Sequence, residues 1–303
     1  MLKQQNNRLQ KGYIRRYTLT EGKEAGLRVV ELDNGILRVL LNESCALDVM
    51  QVFYRGENIS FVSKNGFTAR QLPFINRFEG GMVYTCGLDS IGGREGFELH
   101  GTHHNTPARV VSVCEGCDAL TVVAHIEETA LFGKNLLMER RVTLPMDGGA
   151  LTVEDTLYNR GTAAEPYCLL YHINLGYPLL DAGAQIDIDA EQVIPRNAHS
   201  AKSAAGRTLF PAPIDNEEES CYYIKNRGNT ASVYNEAKGL RFTLSYSKET
   251  LPALVQWVSP ASHDYALGLE PATSFLDDYF TYQTVGAGES VSFSLTLALT
   301  EEK

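Results

Sequence analysis

The segment SVSFSLTLALT, residues 290–300, alternates between apolar and polar side chains with a period of two. A β-strand that buries one face produces this pattern, because successive side chains of a strand point to opposite faces of the sheet. The segment LRFTLSYS, residues 240–247, shows the same alternation. We therefore expect both segments to be strands with one face in a hydrophobic core. The apolar positions are Val291, Phe293, Leu295, Leu297 and Leu299 in the first segment and Leu240, Phe242, Leu244 and Tyr246 in the second.

Tight-turn signals separate the alternating segments. Glycine and asparagine adopt the positive φ angles that short hairpins require, and no apolar repeat of 3.6 residues persists for long. We therefore predict an all-β protein, a large antiparallel β-sandwich, with residues 1–303 in a single domain. Residues 1–24 are expected to form an N-terminal extension with a short helix or an extra strand, and long loops are expected at 64–79 and 195–219. The turn signals are Asp33-Asn34-Gly35, Asp147-Gly148-Gly149, Asn159-Arg160-Gly161, Asn226-Arg227-Gly228 and Lys238-Gly239.

The composition argues against several classes of protein. The 303 residues include 37 acidic and 27 basic side chains, for a net charge of −10. This balance repels phosphate backbones and anionic membrane surfaces. No stretch approaches the roughly 20 consecutive apolar residues of a membrane-spanning helix, and the basic N-terminus lacks the apolar segment of a secretory signal. We expect a cytoplasmic protein with no nucleic-acid or membrane partner.

The six cysteines are consistent with a reducing compartment. Four of them lie singly in apolar or strand-like segments, where a free thiol behaves as a small hydrophobic side chain. Cys114 and Cys117 form the motif C-E-G-C, but no second CxxC and no histidine pair at zinc spacing accompany it. The motif spans a predicted hairpin turn, which favours a structural role and leaves a thiol sensor as the alternative.

Four segments place polar residues in sequence that otherwise has the character of a core. Functional loops gather where strands end, and a glycine or proline near each segment indicates such an end. The segments are LPFINRFEGG (72–81), ELHGTHH (98–104), YCLLYHINLGYP (167–178) and DYALGLEPAT (264–273).

The charged and titratable residues of these segments require partners. A buried Arg77 needs either a core carboxylate or a ligand, because an unpaired buried charge is costly. The same argument applies to Glu270, which follows an apolar strand and precedes Pro271. His172 ends another apolar strand, with Asn174 on the same side. It is either a core histidine bonded to a backbone carbonyl or a residue that faces a cleft.

A cluster of three histidines raises a metal hypothesis. His100, His103 and His104 lie close together in the chain, and imidazole is a common ligand of zinc and similar ions. The spacing is not that of the H-E-x-x-H motif, and no neighbouring cysteine completes a known pattern. We therefore favour a loop that contacts substrate, with a metal site as the alternative.

Taken in chain order, four motifs resemble those of the aldose 1-epimerase (mutarotase) family, which has a galactose mutarotase-like β-sandwich. The likeness extends from about residue 25 to the C-terminus and points to a less characterised bacterial branch of the family. The motifs are Asn76-Arg77-Phe78, Leu99-His100-Gly101, His172-Ile173-Asn174-Leu175 and Leu269-Glu270.

The resemblance implies a site for a small sugar in which Glu270 is the general base and His172 the general acid. It implies no cofactor and no metal, and it leaves a homodimer as one option. Thr102 departs from the family pattern, which commonly has glycine there. The residues that it implies for substrate binding are Asn76, Arg77, His100, Asn174 and Gln256. Gln256 is chosen near the position of the family's substrate-binding aspartate, where Trp257 and Asp264 are the alternatives.

The sequence therefore predicts an enzyme that interconverts the α and β anomers of an aldose. The chemistry suits the residue types, since a glutamate is ionised and able to accept a proton near neutral pH and a histidine can donate one. Two alternatives remain: a non-catalytic carbohydrate-binding or sensing module on the same scaffold, and a metal-dependent sugar epimerase or lyase that uses the three histidines. The identity of the sugar, and whether it is neutral or acidic, stay open.

Overall fold

A computed structural model describes residues 7–302 of the chain. Within this range the chain forms twenty β-strands and two short α-helices, α1 (Phe74–Arg77) and α2 (Ala198–Ser203). Five single turns of 3₁₀-helix lie at Arg8–Gln10, Gly22–Glu24, His103–Asn105, Ala204–Gly206 and Asp277–Tyr279. The strands are β1 (Tyr13–Thr18), β2 (Arg28–Asp33), β3 (Leu37–Asn42), β4 (Asp48–Tyr54), β5 (Glu57–Asn58), β6 (Val83–Leu88), β7 (Arg109–Glu115), β8 (Ala119–Thr129), β9 (Asn135–Pro145), β10 (Ala150–Asn159), β11 (Glu165–Leu175), β12 (Gln185–Asp187), β13 (Ala190–Pro195), β14 (Ser220–Asn226), β15 (Thr230–Asn235), β16 (Leu240–Tyr246), β17 (Ala253–Ser259), β18 (Ala266–Ala272), β19 (Gln283–Val285) and β20 (Ser290–Glu301).

The strands pair into three sheets. A five-stranded sheet has the order β1-β2-β3-β4-β5, and an eight-stranded sheet has the order β12-β15-β16-β20-β10-β9-β8-β7. The seven-stranded sheet has the order β13-β14-β17-β18-β11-β19, with β6 also paired to β11. Neighbouring strands run antiparallel throughout these pairings. The predicted all-β antiparallel fold is therefore confirmed.

One hydrophobic core joins the three sheets, since buried residues of each belong to the same cluster. The predicted alternation of β20 is confirmed there: Phe293, Leu295, Leu297 and Leu299 are buried, and Val291 packs against the cluster partly buried. Burial of apolar surface at about 25 cal/mol per Å² is the main driving force for this arrangement.

A buried polar network also crosses the core and ties the sheets together. Arg140 of β9 donates hydrogen bonds from Nε and Nη2 to Asp155 of β10 at 2.9 and 2.7 Å, and it also pairs with Asp48 of β4. Tyr171 of β11 donates to Asp155 at 2.6 Å, and Thr85 of β6 accepts from Arg140 at 2.9 Å. Because each buried charge has an opposite charge beside it, none of these charges is left unpaired in the core.

The outer face of the seven-stranded sheet carries a second, smaller apolar cluster. It is built from the residues that alternate with the core positions of β6, β11, β14, β17 and β18, and it is partly covered by aromatic side chains of the loop 64–79. This face, rather than the core between the sheets, is where His100, His172 and Glu270 approach one another.

The chain outside this framework matches the sequence expectations in part. Strand β1 lies within the predicted extension 1–24, and a 3₁₀ turn is found at Arg8–Gln10, whereas residues 1–6 lie outside the described range. The expected long loops contain α1 and α2. Cys114 is the penultimate residue of β7 and Cys117 lies in the β7–β8 turn, as the hairpin prediction required. Between residues 7 and 302 no helix has the length and apolar character needed to cross a bilayer.

Candidate active site

A cavity of about 630 Å³ opens on the outer face of the seven-stranded sheet. Strands β11, β14, β17 and β18 form its floor, and the loops that contain residues 61–78 and 93–100 form one wall. Its volume lies within the range of about 300–1,000 Å³ that is common for small-molecule sites. His100, His172 and Glu270 all line this cavity.

The pairing of β11 with β18 brings His172 and Glu270 together. Ile173 pairs with Leu269 and Leu170 pairs with Ala272, so the register puts His172 directly opposite Glu270. Cross-strand neighbours on one face have Cβ atoms only about 5 Å apart. His172 Nε2 consequently lies 3.3 Å from Glu270 Oε1, and both side chains are almost fully buried.

Gly268 makes room for this carboxylate. Gly268 and Glu270 are two residues apart on β18, so both belong to the cavity face. An added Cβ at Gly268 would overlap Glu270 Oε1 and would come to 3.1 Å from the Cβ atom of Trp257. Any larger residue at this position would therefore push the Glu270 carboxylate out of its present place.

Burial makes Glu270 an unusual acid. Removal from water raises its pKa well above the ordinary value, the nearby Glu219 carboxylate raises it further, and Arg196 opposes the increase. Glu270 Oε1 has no hydrogen-bond partner among the described residues. A buried carboxyl group that accepts no hydrogen bond keeps its proton to a higher pH, and its unpaired oxygen can accept a hydrogen bond from a hydroxyl of a ligand.

His172 is perturbed in the opposite direction. Burial lowers its pKa well below the usual value and His100 lowers it further, while a contact with the Asn174 side chain opposes the decrease. Asn174 also donates a hydrogen bond to the His172 carbonyl oxygen at 2.9 Å and is itself fully buried. Asn174 thus positions the histidine from behind and does not line the cavity.

His100 presents one ring nitrogen to the cavity. Its Nδ1 lies 3.0 Å from the carbonyl oxygen of Ile91, and because a carbonyl only accepts, Nδ1 is assigned as the donor. Burial lowers the pKa of His100 to about 4, so the ring is neutral at physiological pH and Nε2 is left as an acceptor. The backbone of His100 has φ of +64°, a left-handed turn that aims the ring inward.

Aromatic rings form the apolar walls of the cavity. The ring of Trp257 lies 5.3 Å from that of His172 between centroids, and the ring of Phe78 lies 5.4 Å from it on another side. Phe61 and Phe74 complete these walls. Aromatic faces with a few convergent polar groups are typical of small-ligand sites.

The cations of the cavity are already paired. Arg196 Nε and Nη2 donate to the Asp277 carboxylate at 2.8 and 3.1 Å, and Lys64 lies 2.6 Å from Asp264. By contrast, among residues 7–302 the Glu219 carboxylate accepts only from a neutral group, the Nε1–H of Trp257, at 2.7 Å. The cavity therefore offers no free positive charge from Arg196 or Lys64 to an acidic ligand.

Two residues expected to bind substrate through the N-R-F motif lie outside the cavity lining. Arg77, at the end of α1, is buried and turned away, and it donates to Gln71 Oε1 at 2.6 Å and to Cys45 Sγ at 2.9 Å. Asn76 is exposed on the same helix. The helix instead contributes Phe74 and Ile75 to the cavity lining.

The expectation that Gln256 binds substrate is not supported by its position. Adjacent residues of a strand face opposite sides, and Trp257 occupies the cavity face of β17. Gln256 is fully buried on the other side, where its amide accepts from Arg207 Nη1 at 3.2 Å and donates to the Arg207 carbonyl oxygen at 2.8 Å.

The three clustered histidines diverge. His103 Nδ1 lies 3.1 Å from Glu128, and His104 is held between Asp48 at 2.7 Å and Glu79 at 2.9 Å. Only His100 faces the cavity. The metal hypothesis required the three rings to converge, and their separate partners remove that premise.

Sequence reasoning missed two charged cavity residues, Glu219 and Arg196, and it selected Gln256 over the neighbouring Trp257. The period-two alternation of β17 could have identified Trp257. It places Trp257 on the same face as Val255 of the outer cluster and Gln256 on the opposite face. Glu219 and Arg196 come from the loop 195–219 and its neighbouring strand, and no local pattern indicates where a long loop will fold back.

Comparison with solved structures shows that the fold is the galactose mutarotase-like β-sandwich. A Klebsiella pneumoniae protein provisionally assigned as an aldose 1-epimerase superposes with a TM-score of 0.84 at 20% identity, covering 95% of this chain and 83% of that one. A galactose mutarotase-like protein from Clostridium acetobutylicum gives a TM-score of 0.70 at 16% identity, covering 96% and 99%. At these identities the likeness establishes the fold.

The family to which the chain belongs is shown by a match between its sequence and a family model. The model of a domain of unknown function, DUF4432, matches residues 24–298, and the chain therefore belongs to that family. A galactose mutarotase related enzyme from Lactobacillus acidophilus shares the fold at a TM-score of 0.65 and 12% identity, covering 91% of this chain and 99% of that one. No protein of curated function gives a significant match.

Proposed function

We propose that the protein is a cofactor-independent isomerase that interconverts the α and β anomers of an aldose. The observation that carries the proposal is the contact between His172 Nε2 and Glu270 Oε1, 3.3 Å apart on the floor of an aromatic-walled cavity. The galactose mutarotase-like fold supports a sugar as the ligand, and the acid–base pair supports a proton-transfer reaction on it.

The reaction needs one proton acceptor and one proton donor. Glu270 removes the proton of the anomeric hydroxyl while His172 protonates the ring oxygen, and the bond between the anomeric carbon and the ring oxygen breaks. The open-chain aldehyde then rotates about its bond to the next carbon. Closure on the other face returns each proton to its origin, so no atom or electron is gained or lost.

The pair carries a single proton through the cycle. Before ring opening the proton is on His172 and Glu270 is ionised, and afterwards it is on Glu270 and His172 is neutral. The raised pKa of Glu270 and the lowered pKa of His172 favour the second arrangement in the buried site. Direct contact between the two groups lets the unliganded enzyme exchange the arrangements without solvent, and hydrogen bonds from the sugar favour the first.

Other groups suit a neutral sugar. His100 Nε2 is an acceptor for a sugar hydroxyl, and Trp257 offers a flat face for the apolar C–H groups of a pyranose. Because Arg196 and Lys64 are engaged by Asp277 and Asp264, a neutral aldose is favoured over an acidic one.

A second candidate function is sugar binding without catalysis. It is favoured by the positions of Arg77 and Gln256, since both lie outside the cavity and leave the sugar with fewer polar contacts than the family resemblance implies. Binding and turnover are separable here, because Trp257 is the only tryptophan of the chain and its fluorescence reports occupancy of the cavity.

The test is anomer exchange by NMR on freshly dissolved neutral and acidic aldoses, with Trp257 fluorescence measured in parallel. Acceleration by the native protein, with a loss of about 10²–10⁴-fold in Glu270→Gln and in His172→Asn, is the expected result. The exposed Glu218→Gln and the strand-face His125→Asn serve as matched controls and should retain activity. A fluorescence change without acceleration would select the binding module, and full activity in Glu270→Gln would eliminate the proposed base.

A further inference from the structure

A second cavity, of about 350 Å³, lies behind the first one. Tyr222 and Val258 line it, whereas their chain neighbours Cys221 and Trp257 line the first cavity. Since adjacent strand residues face opposite sides, β14 and β17 separate the two cavities. Glu217 is the one residue common to both linings. The second cavity is therefore a distinct site and not an extension of the sugar cavity.

Arg207 is the partly buried cation of this cavity. Its guanidinium donates to Gln256 Oε1 at 3.2 Å, and no carboxylate within residues 7–302 forms an ion pair with it. Partial burial lowers its pKa, which marks a cation that has lost water without gaining an anion. Arg196 is comparably buried but is held by Asp277 in two hydrogen bonds.

Most of the other polar groups of the cavity already have partners, whereas Lys202 at the rim is exposed and has no ion pair among residues 7–302. Ser203 Oγ lies 2.7 Å from the hydroxyl of Tyr222 and 2.9 Å from that of Ser220, so the three hydroxyls satisfy one another. At the rim, Glu217 and Glu218 lie nearest to His199, at 3.7 and 3.8 Å.

The remaining wall is apolar and partly open. Leu209 and Ile214 are 56% and 44% exposed although they line the cavity, and Phe210 and Val258 form its base. Exposed side chains of this size around a concave site are what an apolar ligand would cover. A ligand for this cavity therefore needs an apolar body and one negative group.

We propose that this cavity binds a small organic monocarboxylate, whose carboxylate pairs with the Arg207 guanidinium and whose apolar body packs on Leu209 and Phe210. A planar carboxylate matches the donor fork of a single guanidinium. The acidic rim at Glu217 and Glu218 repels a second negative charge, and the other lining cation, Lys202, is exposed to solvent, so a monocarboxylate is favoured over a dianion such as a phosphate ester.

The experiment is isothermal titration of the full chain with benzoate, using benzamide as the uncharged analogue of the same shape. Benzoate is expected to bind with a Kd on the order of 1 mM, and benzamide at least about tenfold more weakly. Arg207→Gln is expected to weaken benzoate binding by about tenfold or more, while the exposed Arg227→Gln, which loses only a surface ion pair, should not change it.

Two further variants show whether a loss of binding comes from misfolding and whether benzoate binds in the second cavity or in the first. Leu209→Glu adds a negative charge at an exposed wall position and is expected to weaken benzoate binding about as much as Arg207→Gln. Trp257→Phe alters the first cavity and should leave benzoate affinity unchanged. Equal binding of benzamide, unchanged affinity in Arg207→Gln, loss of affinity in Trp257→Phe, or no binding up to about 20 mM benzoate would each overturn the proposal. None of these readouts depends on anomer exchange.

Discussion

His172 and Glu270 occupy opposite positions on the antiparallel strands β11 and β18, and their side chains lie 3.3 Å apart on the outer face of the sheet. Both are buried, and burial raises the pKa of Glu270 and lowers the pKa of His172. Titratable groups perturbed in this way within a cavity are candidates for acid–base chemistry. Four predictions follow from this pair and its surroundings.

The pH dependence of anomer exchange should reflect the pair and not two ordinary side chains. Activity requires one proton on the pair, so it should fall at high pH as Glu270 loses its proton and at low pH as His172 gains one. Because the first pKa is raised and the second is lowered, the profile of kcat/KM should be flat across neutral pH, with both limbs displaced outward. A limb at about 6.5, the ordinary pKa of histidine, would contradict this assignment.

Glu270 should destabilise the folded protein at neutral and alkaline pH. A carboxyl group whose pKa is raised on folding contributes full stability below its unfolded-state pKa, about 4.3, and loses it as the pH rises toward the folded-state value. Glu270→Gln should therefore have a higher Tm than the native protein at pH 8, with little difference at pH 4. Thermal unfolding at the two pH values measures this, with the exposed Glu218→Gln as control. An equal or lower Tm at pH 8 would show that the carboxyl is not held protonated.

Gly268→Ala should damage catalysis more than stability. The added Cβ overlaps Glu270 Oε1, which can rotate away at little cost to the fold. A displacement of about 1 Å at a catalytic group can reduce the rate by about 10²-fold. We expect kcat to fall by about 10–100-fold, with a small change in Tm. Gly228→Ala, in a turn where the nearest atoms to an added Cβ are 3.9 Å away, should change neither. Native kcat in Gly268→Ala would show that the present position of the carboxylate is not required.

Arg140→Met should strongly destabilise the fold, because it leaves Asp155 and Asp48 without their buried cation. Breaking a buried ion pair in this way costs about 3–5 kcal/mol. The neighbouring Arg141→Met is the matched control, since Arg141 is exposed on the other face of β9 and its loss should change stability by about 0.5 kcal/mol or less. Urea unfolding compares the two variants, and equal midpoints would mean that the network does not support the core.

Asp48 makes the stability of this network depend on pH in the acid range. Burial opposes ionisation, but Arg140 and His104 prevail and lower the pKa of Asp48 to about 2. A lowered carboxyl pKa gives stability that is present above the unfolded-state value of about 3.9 and is lost as the pH falls toward 2. The same network therefore stabilises the fold at neutral pH and weakens it in acid.

The sequence by itself determined the strands and the two sides of each. Alternation is a local property of the backbone, so residues 290–300 show their buried face without any partner strand. His172 and Glu270 are recognisable as polar residues within otherwise apolar strands, although the structure places both inside β11 and β18 and not at their ends. The family resemblance added the roles of these two residues, which stay predictions until activity is measured.

Only the tertiary structure decided which groups meet. The distance between His172 and Glu270 depends on the register of two strands far apart in the chain, and register is fixed by packing of the whole sheet. The same holds for Arg77, which a short helix turns toward Cys45 and away from the cavity, and for Glu219, which a long loop returns to Trp257. Local patterns specify the faces of the strands, whereas non-local burial and pairing specify which of those faces become a site.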